Sequence, residues 1–173
     1  MAMLQLSGTL INRPVLSLRT STTIAETLSP IINPDNLKIE GFYCQDYQSR
    51  RQLILLSQDI RDVLTQGLVV NDHEVLTEPE ELVRLHRILQ INFELLGKQV
   101  VTTTHDKIGK VSDFSTEIET MYIQKLYVTQ SLLRNFTGGN LGVDRSQIVE
   151  INDKRIVIND LHQKVPVGAR AVA

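Results

Sequence analysis

Leu95-Leu96-Gly97-Lys98-Gln99-Val100-Val101-Thr102-Thr103-Thr104-His105 lies over Leu10-Ile11-Asn12-Arg13-Pro14-Val15-Leu16-Ser17-Leu18-Arg19-Thr20 at an offset of 85, pairing Val100 with Val15 and Lys98 with Arg13. A repeat governs how all other segments are read, so it is sought first. Further along, an offset of 84 pairs Ile108 with Ile24, Ile123 with Ile39 and Tyr127 with Tyr43. At an offset of 88, Leu141, Ile148, Glu150, Val157, Asn159 and Asp160 pair with Leu53, Ile60, Asp62, Val69, Asn71 and Asp72. The offset changes fall at Thr20 to Thr23 and where Gln45 to Arg51 opposes Ser131 to Asn140, both of which read as turns. Lengthening a surface loop costs little, whereas an insertion inside a strand sends every later side chain to the wrong face. The overlay therefore has the form expected of duplicated structure.

Each copy reads as five or six short strands. Val15 to Leu18 and Val100 to Thr103 are apolar or β-branched runs followed by polar turn residues, and His105-Asp106-Lys107 has the look of a hairpin tip. Asn33-Pro34-Asp35-Asn36 is turn chemistry, because proline presets φ and Asn and Asp side chains bond the nearby backbone. Strands this short and this regularly spaced predict small closed barrels, since closure removes sticky edges.

Between the copies the pattern changes. Thr77-Glu78-Pro79-Glu80 is a capping-box sequence with proline in the first turn. Leu82, Leu85, Leu89 and Phe93 fall on one stripe, with Arg84 and Arg87 opposite, which predicts an amphipathic helix. From Leu89 the alternation also fits a strand entering the second copy, so the helix end is open. The expected organisation is residues 1–72 as a divergent first repeat, 73–94 as a helical connector, 95–165 as the second repeat and 166–173 as a tail. The three main segments, with the tail counted in the third, carry −1, −3 and +2, which recovers the net −2 of the 173 residues.

That balance gives no reason to expect strong sequence-independent phosphate binding; an anionic partner should be sought on the second repeat. A single cysteine, Cys44, sits in the strand-like Ile39 to Cys44 run and reads as a core thiol in a reducing compartment. No apolar run approaches a membrane span and the amino terminus lacks a secretory layout, so a cytoplasmic protein is expected. The Asn135-Phe136-Thr137 sequon has no meaning in such a protein.

Leu96-Gly97-Lys98-Gln99-Val100, then Ile108-Gly109-Lys110-Val111-Ser112-Asp113, then Val143 to Ile148 resemble the motifs of the PRC-barrel superfamily. That family includes the cytoplasmic domain of the photosynthetic reaction centre H subunit and the carboxy-terminal domain of the bacterial ribosome maturation factor. In the first repeat Asn12, Ala25 and Thr27 replace two glycines and a valine of the pattern. The resemblance implies a mainly β protein of two small PRC-type barrels, from an internal duplication, joined by the helix. It also implies a non-enzymatic binding or adaptor role, linked to ribosome or RNA processing, with a protein or ribonucleoprotein partner. Neither named member transfers directly: this sequence shows no membrane anchor, and a second copy stands where the maturation factor has a different domain. A fold does not by itself set a function. The alternative is a small-molecule-binding protein or enzyme with its pocket between the barrels, and a homo-oligomeric structural protein is a third reading.

No residue set carries a catalytic, cofactor or metal signature. His73, His86, His105 and His162 lie in four separate places without metal-ligand spacing. His105 beside Asp106 reads as a turn residue and His86 as a packed residue at the core edge. Thr137 to Gly142 is glycine-rich but lacks a P-loop lysine, and reads as a loop between strands. Asp72 and Asp160 occupy equivalent positions and read as Asx-type turn residues. Lys98, Lys107, Lys110 and Lys125 form the one candidate face for an anionic partner, with few aromatics nearby to stack bases.

Overall fold

A computed structural model describes residues 2–130 and 139–159, and the chain is mainly β. β1 (Leu4–Leu6) precedes β2 (Pro14–Ser17), β3 (Thr22–Asn33), β4 (Lys38–Asp46) and β5 (Gln52–Leu56). A 3-10 turn over Ser57–Asp59 leads to β6 (Ile60–Leu64) and β7 (Gly67–Val70), and β8 (Leu76–Thr77) follows. The later run is β9 (Gln99–Thr102), β10 (Lys107–Glu117), β11 (Tyr122–Gln130), β12 (Asn140–Asp144), a 3-10 turn over Arg145–Gln147, β13 (Ile148–Ile151) and β14 (Arg155–Ile158). Asn135 to Gly138, Asp160, His162 and the 166–173 tail lie outside the described residues.

The chain divides into two compact units. One is Met1–Phe93 with Ser115–Gln124, and the other is Glu94–Phe114 with Lys125–Ala173. In the first, β2 pairs antiparallel with β3 and parallel with β7, β3 with β4, β4 with β5, and β6 with β7. In the second, β9 pairs antiparallel with β10 and parallel with β14, β11 with β12, and β13 with β14. The end of the β10–β11 hairpin belongs to the first unit. There it takes β1 on one side, and Ile39 N–H donates to Met121 O at 2.8 Å while Ile123 N–H donates to Leu37 O at 2.9 Å.

Four irregularities recur at positions the overlay equates. The β2–β3 ladder skips Ile24 and the β9–β10 ladder skips Ile108; β6–β7 skips Arg61 and β13–β14 skips Val149. Left-handed backbone occurs at Asn12 (φ 57°) and Gly97 (φ 86°), and again at Leu37 (φ 56°) and Met121 (φ 61°). Asn tolerates that region better than other side chains, which explains its standing in for glycine at position 12. The proline turn forms as expected, with Asn33 Oδ1 accepting from Asp35 N–H and Asn36 Oδ1 from Lys38 N–H, both at 2.9 Å.

The expected closed barrels are not found. Pairing in the first unit runs β6–β7–β2–β3–β4–β5–β8, and among the described residues no ladder joins β6 to β8. The second likewise ends on β13 and β12. The physical reason lies in the terminal strands β6 and β13. They have five and four residues, place Arg61, Asp62 and Glu150 in solvent, and carry a bulge that bends the ladder. Charge, shortness and bulges are the devices that protect an open edge without closing it.

Each unit buries its own core. Val15, Phe42, Ile54, Leu55 and Leu68 are fully buried in the first, and Val100, Phe114, Val128, Ile156 and Ile158 in the second. The buried Thr27 hydroxyl is bonded on both sides: Oγ1 donates to Leu10 O at 2.7 Å and accepts from Arg13 N–H at 3.0 Å. The connector differs from its expected form. Thr77 pairs with Ile54 in the β8–β5 ladder, so its backbone is extended and no capping box forms there. The chain instead makes 3-10 turns over Pro79–Glu81 and Val83–Leu85, then the six-residue helix α1 (His86–Ile91), closed by Asn92 in left-handed conformation. The apolar stripe survives this break. Leu82, Leu85 and Leu89 pack with Ile88 on Ile31, Ile54, Tyr43 and Leu56, which lays the connector on the β3–β4–β5 face. His86 opens α1 in solvent rather than at the core edge, because Ile88 and Leu89 take the inward positions. No described helix is long and apolar enough to cross a membrane.

Candidate functional site

Strand register decides which cations of the second unit meet. Lys107 and Lys110 are three residues apart, a spacing that in a regular strand sends side chains to opposite faces. The bulge at Ile108 cancels the odd residue: Lys107 faces Val101, Lys110 faces Gln99, and Gln99 and Val101 share a face of β9. On the other side of β9, Arg155 pairs with Gln99 and Val157 with Val101. One face thus carries the row Lys110, Gln99, Arg155 beside the row Lys107, Val101, Val157, in which Val101 is buried and the cations stand at the rim. Neighbouring strands lie about 4.8 Å apart, so Lys110 and Arg155 stand roughly 10 Å apart across β9. All three cations are exposed, and none forms an ion pair with a described residue. Glu150, opposite Val157, is the acidic border.

The other two expected lysines are engaged elsewhere. Lys98 Nζ donates to Asp153 O at 2.7 Å, and Lys125 lies directly across from Asp144, Nζ to Oδ1 3.6 Å. Arg155 was not among the sequence candidates, since nothing in its local context links it to the β9–β10 hairpin. The offset of 88, which predicts β14 beside β9 once β7 is beside β2, is the signal that would have found it.

A second polar cluster lies in the first unit. Asp46 is fully buried at the end of β4. Its Oδ2 accepts from Ser49 Oγ at 2.6 Å and Ser49 N–H at 2.9 Å, and its Oδ1 accepts from Gln48 N–H at 3.3 Å and lies 2.7 Å from His73 Nε2. Burial pushes the carboxyl up, but the bonds from Ser49, His73 and Gln48 together outweigh it and hold Asp46 at about 2. The half-exposed imidazole is oriented by a buried carboxylate, as in catalytic dyads, yet no nucleophilic side chain among the described residues bonds it. The cluster acts as a clasp from the β4–β5 turn to the 3-10 turn His73–Val75. In the sequence His73 is one of four isolated histidines, because its partner lies 27 positions away.

His105 sits exposed in the β9–β10 turn with left-handed backbone, as expected of a turn residue. Asp72 accepts from Glu74 N–H at 2.9 Å, an Asx-type cap. Among the described residues no group of three His, Cys, Asp or Glu is placed to hold a metal ion. Cys44 is fully buried in β4, and burial pushes its thiol up to about 12. A buried thiol held protonated is a poor nucleophile. In native buffer at pH 8, a disulfide reagent such as DTNB is expected to leave it unmodified, and denaturant to release one reactive thiol per chain; rapid native labelling would contradict this placement. No family model and no curated protein matches the chain.

Proposed function

We infer that this chain is a non-enzymatic binding or adaptor protein built from two PRC-type β units that arose by internal duplication, and that it docks on a ribonucleoprotein in ribosome- or RNA-linked assembly. The observation that carries the docking surface is the convergence of the exposed Lys107, Lys110 and Arg155 on one face of β10, β9 and β14, around the buried Val101. Three cations around a flat strand face suit a phosphate backbone, where charge supplies affinity without base readout. Duplication is supported by bulges and left-handed residues recurring at equated positions. Insertions are tolerated in loops but a conserved skip in a ladder must be built twice, so four coincidences favour common origin over chance. The PRC-type reading rests on the motifs around Gly97, Gly109 and Val143, and carries with it the expectation of macromolecular binding.

The test is co-sedimentation of the purified chain with ribosomal particles over a salt series. Each phosphate contact to a single strand contributes a slope of about −0.7 in log K against log salt, so three contacts give a slope of roughly −2. The variant K107E/K110E/R155E is expected to abolish binding, while Lys125→Ala, whose ammonium faces Asp144, leaves it within about two-fold. No binding at low salt, or equal binding by the triple variant, would overturn the reading.

A further inference from the structure

The first unit holds a groove of about 520 Å³ that none of the foregoing uses. Its floor is made by Lys38, Glu40, Leu56 and Ser57, and its wall by Glu81 to Leu85. The floor depends on a second bulge in β4. Asn33 pairs with Lys38 and Ile32 with Ile39, but Ile31 pairs with Gly41, so Glu40 is skipped. The skip turns Lys38 onto the face of Gly41 and Leu56, which pair directly. Gly41 is required here, since a Cβ would lie 2.6 Å from Leu55 O. Ser57 Oγ donates to Ile39 O at 2.7 Å and fixes the floor's far corner.

Three of the groove's four charges have no partner among the described residues, and the fourth rests over an aromatic ring. Glu40, Glu81 and Arg84 form no side-chain hydrogen bond or ion pair with a described residue, and the Lys38 ammonium lies 5.8 Å from the Tyr122 ring centre. Two carboxylates and two cations therefore surround the aliphatic surface of Leu56, Leu82, Val83 and Leu85. Such a set discriminates by sign. A fatty acid or nucleotide would meet two uncompensated carboxylates, and an amine-only ligand two cations; a molecule with one charge of each sign at its ends and an apolar middle satisfies both pairs. The volume lies within the roughly 300–1,000 Å³ of ligand pockets, and three residues of extended chain reach about 10 Å.

We propose that this groove binds a short aliphatic peptide, about three residues long, through its free ammonium and carboxylate termini. The ammonium is taken by Glu40 and Glu81, the carboxylate by Lys38 and Arg84, and the side chains rest on Leu56, Leu82 and Leu85. This site is separate from the cationic face of the second unit and does not depend on the function proposed for it.

The probe is trileucine with free termini, titrated into the 15N-labelled full chain. Saturable shifts are expected at the amides of Lys38, Glu40, Ser57 and residues 81–85. Acetylated, amidated trileucine should bind at least ten-fold more weakly, and octanoate should leave these resonances in place. Arg84→Glu, at an exposed position that burdens no packing, should weaken trileucine at least ten-fold while the rest of the spectrum and ribosomal-particle binding stay unchanged. No saturable shift up to about 10 mM, or equal binding of the capped peptide or of octanoate, overturns the proposal.

Discussion

Gly67→Ala is expected to destabilise the first unit by about 3 kcal/mol or more, because it adds a steric clash to a backbone strain. Gly67 opens β7 with φ near +150°, a conformation that L residues rarely adopt, and a Cβ there would stand 2.3 Å from Pro14 O and 3.1 Å from Pro14 C. Both neighbours are backbone, so no side chain can swing aside. Relief requires moving β7 against β2, whose parallel ladder joins Val15 to Leu68 and Leu16 to Val69 one strand in from the β6 edge. Urea unfolding followed by circular dichroism should show a lower midpoint with the slope unchanged. Gly97→Asn is the matched control. Its φ is +86° and nothing lies within 4 Å of the added Cβ. Asn12 already occupies the equated position with φ 57°, so this change should cost less than about 1 kcal/mol. Similar losses for the two variants would mean that the close approach to Pro14 is not what demands glycine at 67.

Asp46→Asn is expected to cost about 3 kcal/mol at neutral pH, since it leaves donors from Ser49, Gln48 and His73 facing an amide that cannot accept from all of them in a buried site. The effect should depend on pH with a defined sign. The folded carboxyl lies at about 2 against an ordinary 3.8, so its contribution is fully present above the ordinary value. It fades as the pH falls through about 4 toward 2. The difference between those values corresponds to about 2 kcal/mol. Asp59, pushed up by its burial, contributes in the opposite sense over the range above its ordinary value, and the Asp46→Asn comparison cancels it. Unfolding free energies of the wild-type chain and the variant should therefore converge between pH 4 and 2. A constant gap across that range would show that the carboxylate's charge is not what the clasp uses.

The matching strand positions of the two runs were legible because they are written in local patterns. Val15 and Val100, Ile24 and Ile108, and Ile60 and Ile148 mark the same strand positions in both runs, and the offset changes fall in turns. Turn chemistry at Asn33-Pro34-Asp35-Asn36 was equally readable, being a matter of neighbouring side chains and backbone. The connector misled because Thr77-Glu78-Pro79-Glu80 satisfies the rule for a helix start, while the β8–β5 ladder imposes extended backbone on Thr77. Tertiary pairing outweighs a cap worth about 1 kcal/mol. The stripe of Leu82, Leu85 and Leu89 nevertheless reached the core, because burial of apolar area is indifferent to whether a helix is continuous.

The candidate face divides along the same line. Lys107 and Lys110 were visible as neighbours in one hairpin, but their shared orientation needs the bulge at Ile108, and Arg155 joins them only through the parallel pairing of β14 with β9. Lys98 and Lys125 looked equivalent to them until Asp153 and Asp144 were placed. Asp46 and His73 met in the same way. Sequence alone determined the composition of the strands and their order, since alternation and turn residues act over a few neighbouring positions. Tertiary structure alone decided which strands stayed open at the edge, which cations share a face and which carboxylate is buried, because each depends on the register between segments separated by tens of residues.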